Sequence, residues 1–207
     1  MSTTTGPRVQ RFSGAIAGVG STSGVRVVVG AWHTSPLGAF ADAMVATAGG
    51  RRLLLAPSRA VAEFVASTYT FDEVRVEPFA ADVAADGWRV RSDSLELTLD
   101  VGGRTALGAA LRLVPRGLAG SPAFSTLTDP VARLLLRGVR TRGSAGHGRR
   151  EYYGALDHHA VVRARGSLDG VDLGDLAPVD PEPGFGFSST PVRPSVTRVV
   201  STVVLPA

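Results

Sequence analysis

The side chains best suited to chemistry in this chain are its four histidines, two of which are adjacent. His158 and His159 follow Asp157 directly, whereas His33 and His147 lie elsewhere in the sequence. An imidazole titrates near neutral pH and can transfer protons or bind a metal ion. On a strand, neighbouring rings point to opposite faces, so the pair does not easily bind one metal ion. We expect one histidine of the pair to point inward and the other outward, without deciding which, and we expect no metal site. A less favoured alternative is a metal site formed by His33, one histidine of the pair and a carboxylate.

Two absent residue types exclude several chemistries. The 207 residues include no cysteine, which excludes disulfides, thiolate nucleophiles and cysteine zinc sites. All 22 basic residues are arginine, so no side-chain amine can form an imine with a carbonyl substrate. A phosphate loop with its lysine and the GxSxG motif of serine hydrolases are both missing. We expect no cofactor.

An arginine-rich stretch at 133–150 is the most distinct charge feature. It has six arginines and no acidic residue, a composition that can bind polyanions. It lacks interleaved aromatic residues, and a net charge of +4 is small for 207 residues. Nucleic-acid binding is therefore disfavoured, while contact with an acidic partner, or self-association through the acidic stretch 72–100, stays open.

The composition favours a single folded domain. Apolar residues make up 44% of the chain and charged residues 19%, which is enough for a sizeable core. We expect no secretory signal, since residues 1–12 have no apolar region after their charges, and the sequence has no apolar run of about 18 residues. We expect a cytoplasmic protein without a membrane span, with a flexible tail at 1–12 and one domain at 13–207.

The pattern of residues predicts a mainly β fold. Short runs rich in β-branched residues, or alternating apolar and polar residues, recur along the chain. The predicted strands are 25–32, 52–56, 72–79, 87–91, 94–101, 104–114, 151–155, 160–165 and 196–204. A helix is expected from Ser58, which can cap it, to about Tyr69, and a second at 129–138. Many strands without regular intervening helices favour a closed or near-closed antiparallel β-barrel with two or three short helices.

The segment 35–72 resembles the acetoacetate decarboxylase-like family. Gly38-Ala39-Phe40-Ala41-Asp42 is similar to the family's GPYNE-like segment, with Asp42 in the place of the glutamate. A strand, a short helix and a turn then follow in the family's order. The resemblance implies a cone-shaped β-barrel around an internal pocket. The family's imine-forming lysine would fall near 69–72, where this chain has none, so the resemblance does not extend to the decarboxylase mechanism.

A pocket inside such a barrel would make several residues of this chain candidates for a site. An inward Asp42 in apolar surroundings would have a raised pKa and could act as a general acid or base. Arg112 could pair with it or hold a substrate carboxylate, although an outward position on its strand is equally expected, and His158 or His159 could supply a second acid–base group. We take Asp42, Arg112 and His158 as the catalytic candidates. The residues expected to line the pocket are Trp32, His33, Tyr69, Phe71 and Tyr153.

These residues leave two main functions open. The first is a lyase or isomerase that uses acid–base groups on a small keto acid, hydroxy acid or polyketide-like molecule. The second is a binding protein for a small apolar metabolite that performs no chemistry. A small-molecule ligand is expected in both cases. A packed barrel with a flat arginine face would instead favour an interaction protein.

Overall fold

The structure is a computed structural model that describes residues 9–113, 142–145, 149–186 and 190–204. These residues form thirteen strands and two helices. In chain order they are β1 (Val9–Ser21), β2 (Arg26–Thr34), β3 (Phe40–Ala46), β4 (Arg52–Ala56), α1 (Arg59–Ala66), β5 (Glu73–Val76), β6 (Phe79–Val83), β7 (Gly87–Ser92), β8 (Leu95–Arg104), α2 (Ala106–Arg112), β9 (Arg142–Ala145), β10 (Arg149–Leu168), β11 (Val171–Asp172), β12 (Leu176–Ala177) and β13 (Ser195–Val204). The expected mainly β fold is confirmed.

All thirteen strands belong to one curled sheet, and ten of them follow one another across it. Their order is β5-β4-β3-β2-β1-β13-β10-β8-β7-β6, with β9 and β11 paired to β10 and β12 paired to β1. Neighbouring strands are antiparallel except β4 and β5. The prediction of a purely antiparallel sheet is wrong at this pair, because α1 crosses over between the two strands and a crossover returns the chain in the same direction.

The core fills the inner face of this curl. Val27 on β2, Leu55 on β4, Trp88 on β7 and Leu97 on β8 belong to one buried cluster. These strands lie at both ends of the strand order, so their side chains can meet only on the concave side of the sheet. A second cluster packs α1 onto the opposite, convex face through Leu54 of β4.

The sheet is a half-barrel, which is less than the closed or near-closed barrel expected. Its edge strands are β5 and β6, and no ladder joins them in the part of the chain that the structure describes. Pro78 lies between the two strands and has no amide hydrogen to donate to a ladder. Side chains bridge this region instead: Arg75 donates to Asp169 at 2.6 Å, and Ser94 donates to Glu77 at 2.7 Å.

The two helices differ in how well the sequence predicts them. Helix α1 is confirmed: Ser58 caps it, with its Oγ accepting from the amide of Val61 at 3.3 Å, although it ends at Ala66. Helix α2 occupies a segment predicted as a strand. Its alanines and leucines favour a helix once Thr105 caps it, accepting from the amide of Gly108 at 3.1 Å.

Other predicted boundaries also change. Strand β1 begins at Val9 and Phe12 is 3% exposed, so the last four residues of the predicted tail belong to the sheet. The predicted helix 129–138 and most of the arginine-rich stretch lie outside the described residues. Within the described ranges, no helix is long and apolar enough to span a membrane.

Candidate functional site

A hollow of about 750 Å³ lies at one end of the concave face. Its walls are apolar and come from both halves of the sheet. They include Phe79, Trp88, Val101 and Val196, together with Ala15, Ala31, Ala41 and Ala81. The space exists because small alanines face it, whereas leucines fill the rest of the concave side. The volume lies in the range of small-molecule sites, roughly 300–1,000 Å³.

The polar side of the hollow is organised around Asp157. Its carboxylate accepts two hydrogen bonds from Arg104, Nε to Oδ1 at 2.8 Å and Nη2 to Oδ2 at 3.1 Å. The amide of His158 donates to Oδ1 at 2.9 Å, and Nε2 of His159 lies 3.6 Å from Oδ2. The hydrogen bond from Arg104 is the main reason that the pKa of Asp157 falls to about 2. Asp157 is therefore an anion at neutral pH.

Arg198 adds a second cation to the hollow. It lies opposite Asp157 on the neighbouring strand β13 and lines the hollow with an exposed side chain. Both oxygens of Asp157 already accept from Arg104, and Arg198 forms no ion pair with any residue that the structure describes. His33 also lines this space, close to the rim, with Nδ1 3.0 Å from Oγ1 of Thr34.

A bulge in β10 decides which side chains reach the hollow. The register with β13 passes from Ala155 directly to Asp157, so Leu156 is an extra residue in the strand. An extra residue reverses the alternation of faces beyond it. Tyr153 consequently points to the convex face and Asp157 to the concave one, although an even spacing of four positions would place them on the same face of a regular strand.

The second cavity lies beneath α1 on the convex face, and Asp42 belongs to it. This α1 cavity measures about 60 Å³ and is lined by residues of β1, β2, β3, α1, β10 and β13. Asp42 is 5% exposed. Its burial raises its pKa to about 7, against the opposing effect of a hydrogen bond from Nε1 of Trp32 to Oδ1 at 3.3 Å.

Gly30 leaves the room that this hydrogen bond needs. A Cβ atom at this position would lie 2.7 Å from both Oδ1 of Asp42 and Nε1 of Trp32. The expectation that Asp42 points into the hollow is wrong, because its neighbours Ala41 and Ala43 occupy the concave side of β3. Trp32 and Phe40 line both the hollow and the α1 cavity.

The predicted pocket residues divide between these two spaces. Trp32, Tyr69 and Tyr153 line the α1 cavity with Asp42, and the hydroxyls of the two tyrosines are hydrogen-bonded to each other. Phe71 lines neither space and packs against Phe185, with ring centroids 5.8 Å apart.

The other two catalytic candidates lie apart from Asp42. Arg112 ends helix α2 and is exposed, because its segment is helical rather than extended. His158 is 7% exposed, and its Nδ1 lies 2.8 Å from Oγ1 of Thr105. Its burial is the main cause that lowers its pKa. His159, not His158, is the histidine that lines the hollow.

The sequence offered only indirect evidence for the polar residues that line the hollow, which include Asp157, Arg104 and Arg198. The Asp157-His158-His159 run marked the position, but the role of Asp157 depends on Arg104, which is 53 residues away. One feature of the sequence could have identified Arg198: it is the single charged residue in a strand whose other residues are apolar or carry hydroxyl groups. Within the described ranges, no group of three histidine or acidic residues is placed to hold a metal ion.

Comparisons with known proteins identify similar structures but no related sequence. No family model matches the chain, and no curated protein matches it significantly. The chain is similar to the crystal structure of an acetoacetate decarboxylase from Legionella pneumophila, with 9% identity and a TM-score of 0.46 over 97% of this chain and 85% of that one. It is also similar to a second acetoacetate decarboxylase structure, with 12% identity and a TM-score of 0.44 over 98% of this chain and 88% of the other.

Proposed function

We propose that the hollow binds a small, mainly apolar molecule. The observation that carries this proposal is a space of about 750 Å³ with alanine, aromatic and valine walls and polar groups on one side only. Apolar walls supply binding free energy, and a few polar groups orient the ligand. The three catalytic candidates do not line one common space, so binding has more support than catalysis.

Filling the hollow tests this proposal. The neutral fluorophore N-phenyl-1-naphthylamine brightens in apolar surroundings and is small enough for the hollow. Ala81→Phe places a ring into the space, and we expect it to weaken binding at least about tenfold, since the displaced ligand loses its apolar contacts. Thr98→Phe, exposed on β8 between the inward-facing Leu97 and Leu99, is the matched control and should leave the affinity unchanged. Equal binding by both variants, or no binding by the wild type, would contradict the proposal.

The second candidate is acid–base catalysis by Asp42. The pKa of Asp42 is raised to about 7, and an acid–base catalyst works best when its pKa is close to the pH of the solution. Asp42 faces the α1 cavity rather than the hollow, so a substrate for this function has to reach Asp42 from the convex side of the sheet.

Proton exchange gives a test that does not require the natural substrate. Hydrogen–deuterium exchange at the carbon next to the carbonyl of 2-oxobutanoate or levulinate can be followed by NMR in D₂O. Catalysis predicts faster exchange with the wild-type protein and none above background with Asp42→Asn. Exchange that is equally fast with both proteins, or absent with both, would rule this function out.

A further inference from the structure

The α1 cavity is enclosed by an unusual concentration of aromatic rings. The chain has 13 aromatic residues, and six of them line this one small space. They are Phe12, Trp32, Phe40, Phe64, Tyr69 and Tyr153. The rings contact one another: the centroids of Phe12 and Phe64 are 4.9 Å apart, and those of Phe12 and Trp32 are 5.8 Å apart. Aromatic faces carry partial negative charge and attract cations.

A single carboxyl group lies within this ring of aromatic residues. Asp42 is the one acidic residue among the described residues that line the cavity, and no arginine or histidine lines it. A buried carboxylate without a cation carries a large desolvation cost. A cationic ligand would supply the missing charge.

The cavity also offers oxygen atoms that can accept hydrogen bonds. Thr68, Tyr69, Tyr153 and Ser201 all line it. Thr68 uses its hydrogen in a bond to the carbonyl oxygen of Phe64 at 3.4 Å, which leaves lone pairs on its Oγ1. A primary ammonium group has three N–H donors and needs several such acceptors, whereas a quaternary ammonium has none.

We propose that the α1 cavity binds a small primary alkylammonium ion, with Asp42 as its counter-ion and the six aromatic rings around its carbon atoms and charge. The size of the space sets the size of the ligand. A cavity of about 150 Å³ holds benzene, so one of about 60 Å³ admits an ion of two or three heavy atoms. Methylammonium and ethylammonium meet this limit. This site is separate from the hollow and does not depend on what binds there.

Ethylammonium and ethanol provide matched probes, because they share a carbon skeleton and differ in charge. We expect ethylammonium chloride to bind the wild-type protein with a Kd on the order of 1 mM, near the ceiling for so small a ligand. The readouts are isothermal titration calorimetry and the indole N–H resonance of Trp32 in NMR spectra. Ethanol at the same concentration should leave both unchanged, and tetramethylammonium should bind at least about tenfold more weakly, because it is too large and has no N–H group.

Asp42→Asn keeps the shape of the site and removes its charge, so we expect at least a tenfold loss of ethylammonium affinity. Asp82→Asn is the control: it makes the same chemical change at an exposed carboxylate of β6, 3.6 Å from Arg91, and should bind as the wild type does. Undiminished binding by Asp42→Asn, or equal binding of ethanol and ethylammonium, would overturn the proposal.

The pH dependence of the wild-type protein gives a second test that needs no variant. The ammonium ion pairs with ionised Asp42, so its affinity should fall about tenfold per pH unit below pH 7. Apart from Asp42, the titratable side chains that line the cavity in the described part of the chain are those of Tyr69 and Tyr153. An affinity that is flat between pH 5 and pH 8 would contradict a role for Asp42 as the counter-ion.

Discussion

The two faces of the curled sheet hold two aspartates with opposite properties. On the concave side, Asp157 accepts two hydrogen bonds from Arg104, and its pKa falls to about 2. On the convex side, Asp42 has one hydrogen bond, from the neutral Trp32, and its pKa rises to about 7. Both are largely buried. The difference has two physical causes: Asp42 is enclosed and desolvated with no cation beside it in the ranges that the structure describes, whereas Asp157 lines the open hollow and accepts hydrogen bonds from a guanidinium group.

The largest effect that we expect concerns Asp42, whose raised pKa should make the stability of the protein depend on pH. Its pKa is raised from 3.8 to about 7 by folding, so the folded protein retains a proton that the unfolded chain releases. Stability therefore falls as the pH rises from about 4 to 7, by roughly 4 kcal/mol in total. Asp42→Asn removes this loss. In urea unfolding, we expect the variant to be about 3 kcal/mol more stable than the wild type at pH 8, and within about 1 kcal/mol of it at pH 4.

Parallel stability curves for the two proteins between pH 4 and pH 8 would contradict a raised pKa at Asp42. The apolar walls of the α1 cavity would then be admitting enough water to keep the carboxylate solvated.

Asp157 should make the folded protein more stable as the pH rises, which is the opposite of Asp42, and its contribution to stability should be smaller. Its pKa is lowered by folding from 3.8 to about 2, so its contribution is present above about pH 4 and is lost as the pH falls through 2. Asp157→Asn leaves Arg104 without its carboxylate. We expect a loss of about 2 kcal/mol at pH 7, by analogy with other hydrogen bonds between charged groups, and a smaller loss near pH 2.

Asp100→Asn is the matched control for Asp157, because it breaks an ion pair with Arg163 of 3.8 Å that is more than half exposed on both sides. Its cost should stay below about 1 kcal/mol in urea unfolding at pH 7. If Asp100→Asn and Asp157→Asn are equally destabilising, the partly buried pair with Arg104 has no special strength, and the contrast between the two faces weakens.

Much of the fold follows from local sequence patterns, and the departures from them have identifiable causes. Helix α1 was predictable because Ser58 caps it and its apolar residues recur at helical spacing. Helix α2 was not, since Ala106–Arg112 has no clear apolar stripe and owes its position to β10. A Cβ atom at Gly108 would lie 2.2 Å from the carbonyl oxygen of His158, so a glycine is needed where this helix meets the strand.

The candidate site was less predictable than the fold. The sequence alone indicated a mainly β protein and excluded lysine and cysteine chemistry, because composition and strand patterning do not depend on distant contacts. Only the tertiary structure assigned Asp42 to the α1 cavity and Asp157 and His159 to the hollow. The extra residue at Leu156 reverses the faces of β10, and the curl of the sheet brings Arg104 to Asp157 across 53 positions. The charge of each carboxyl group depends on these contacts, so it is a property of the folded chain.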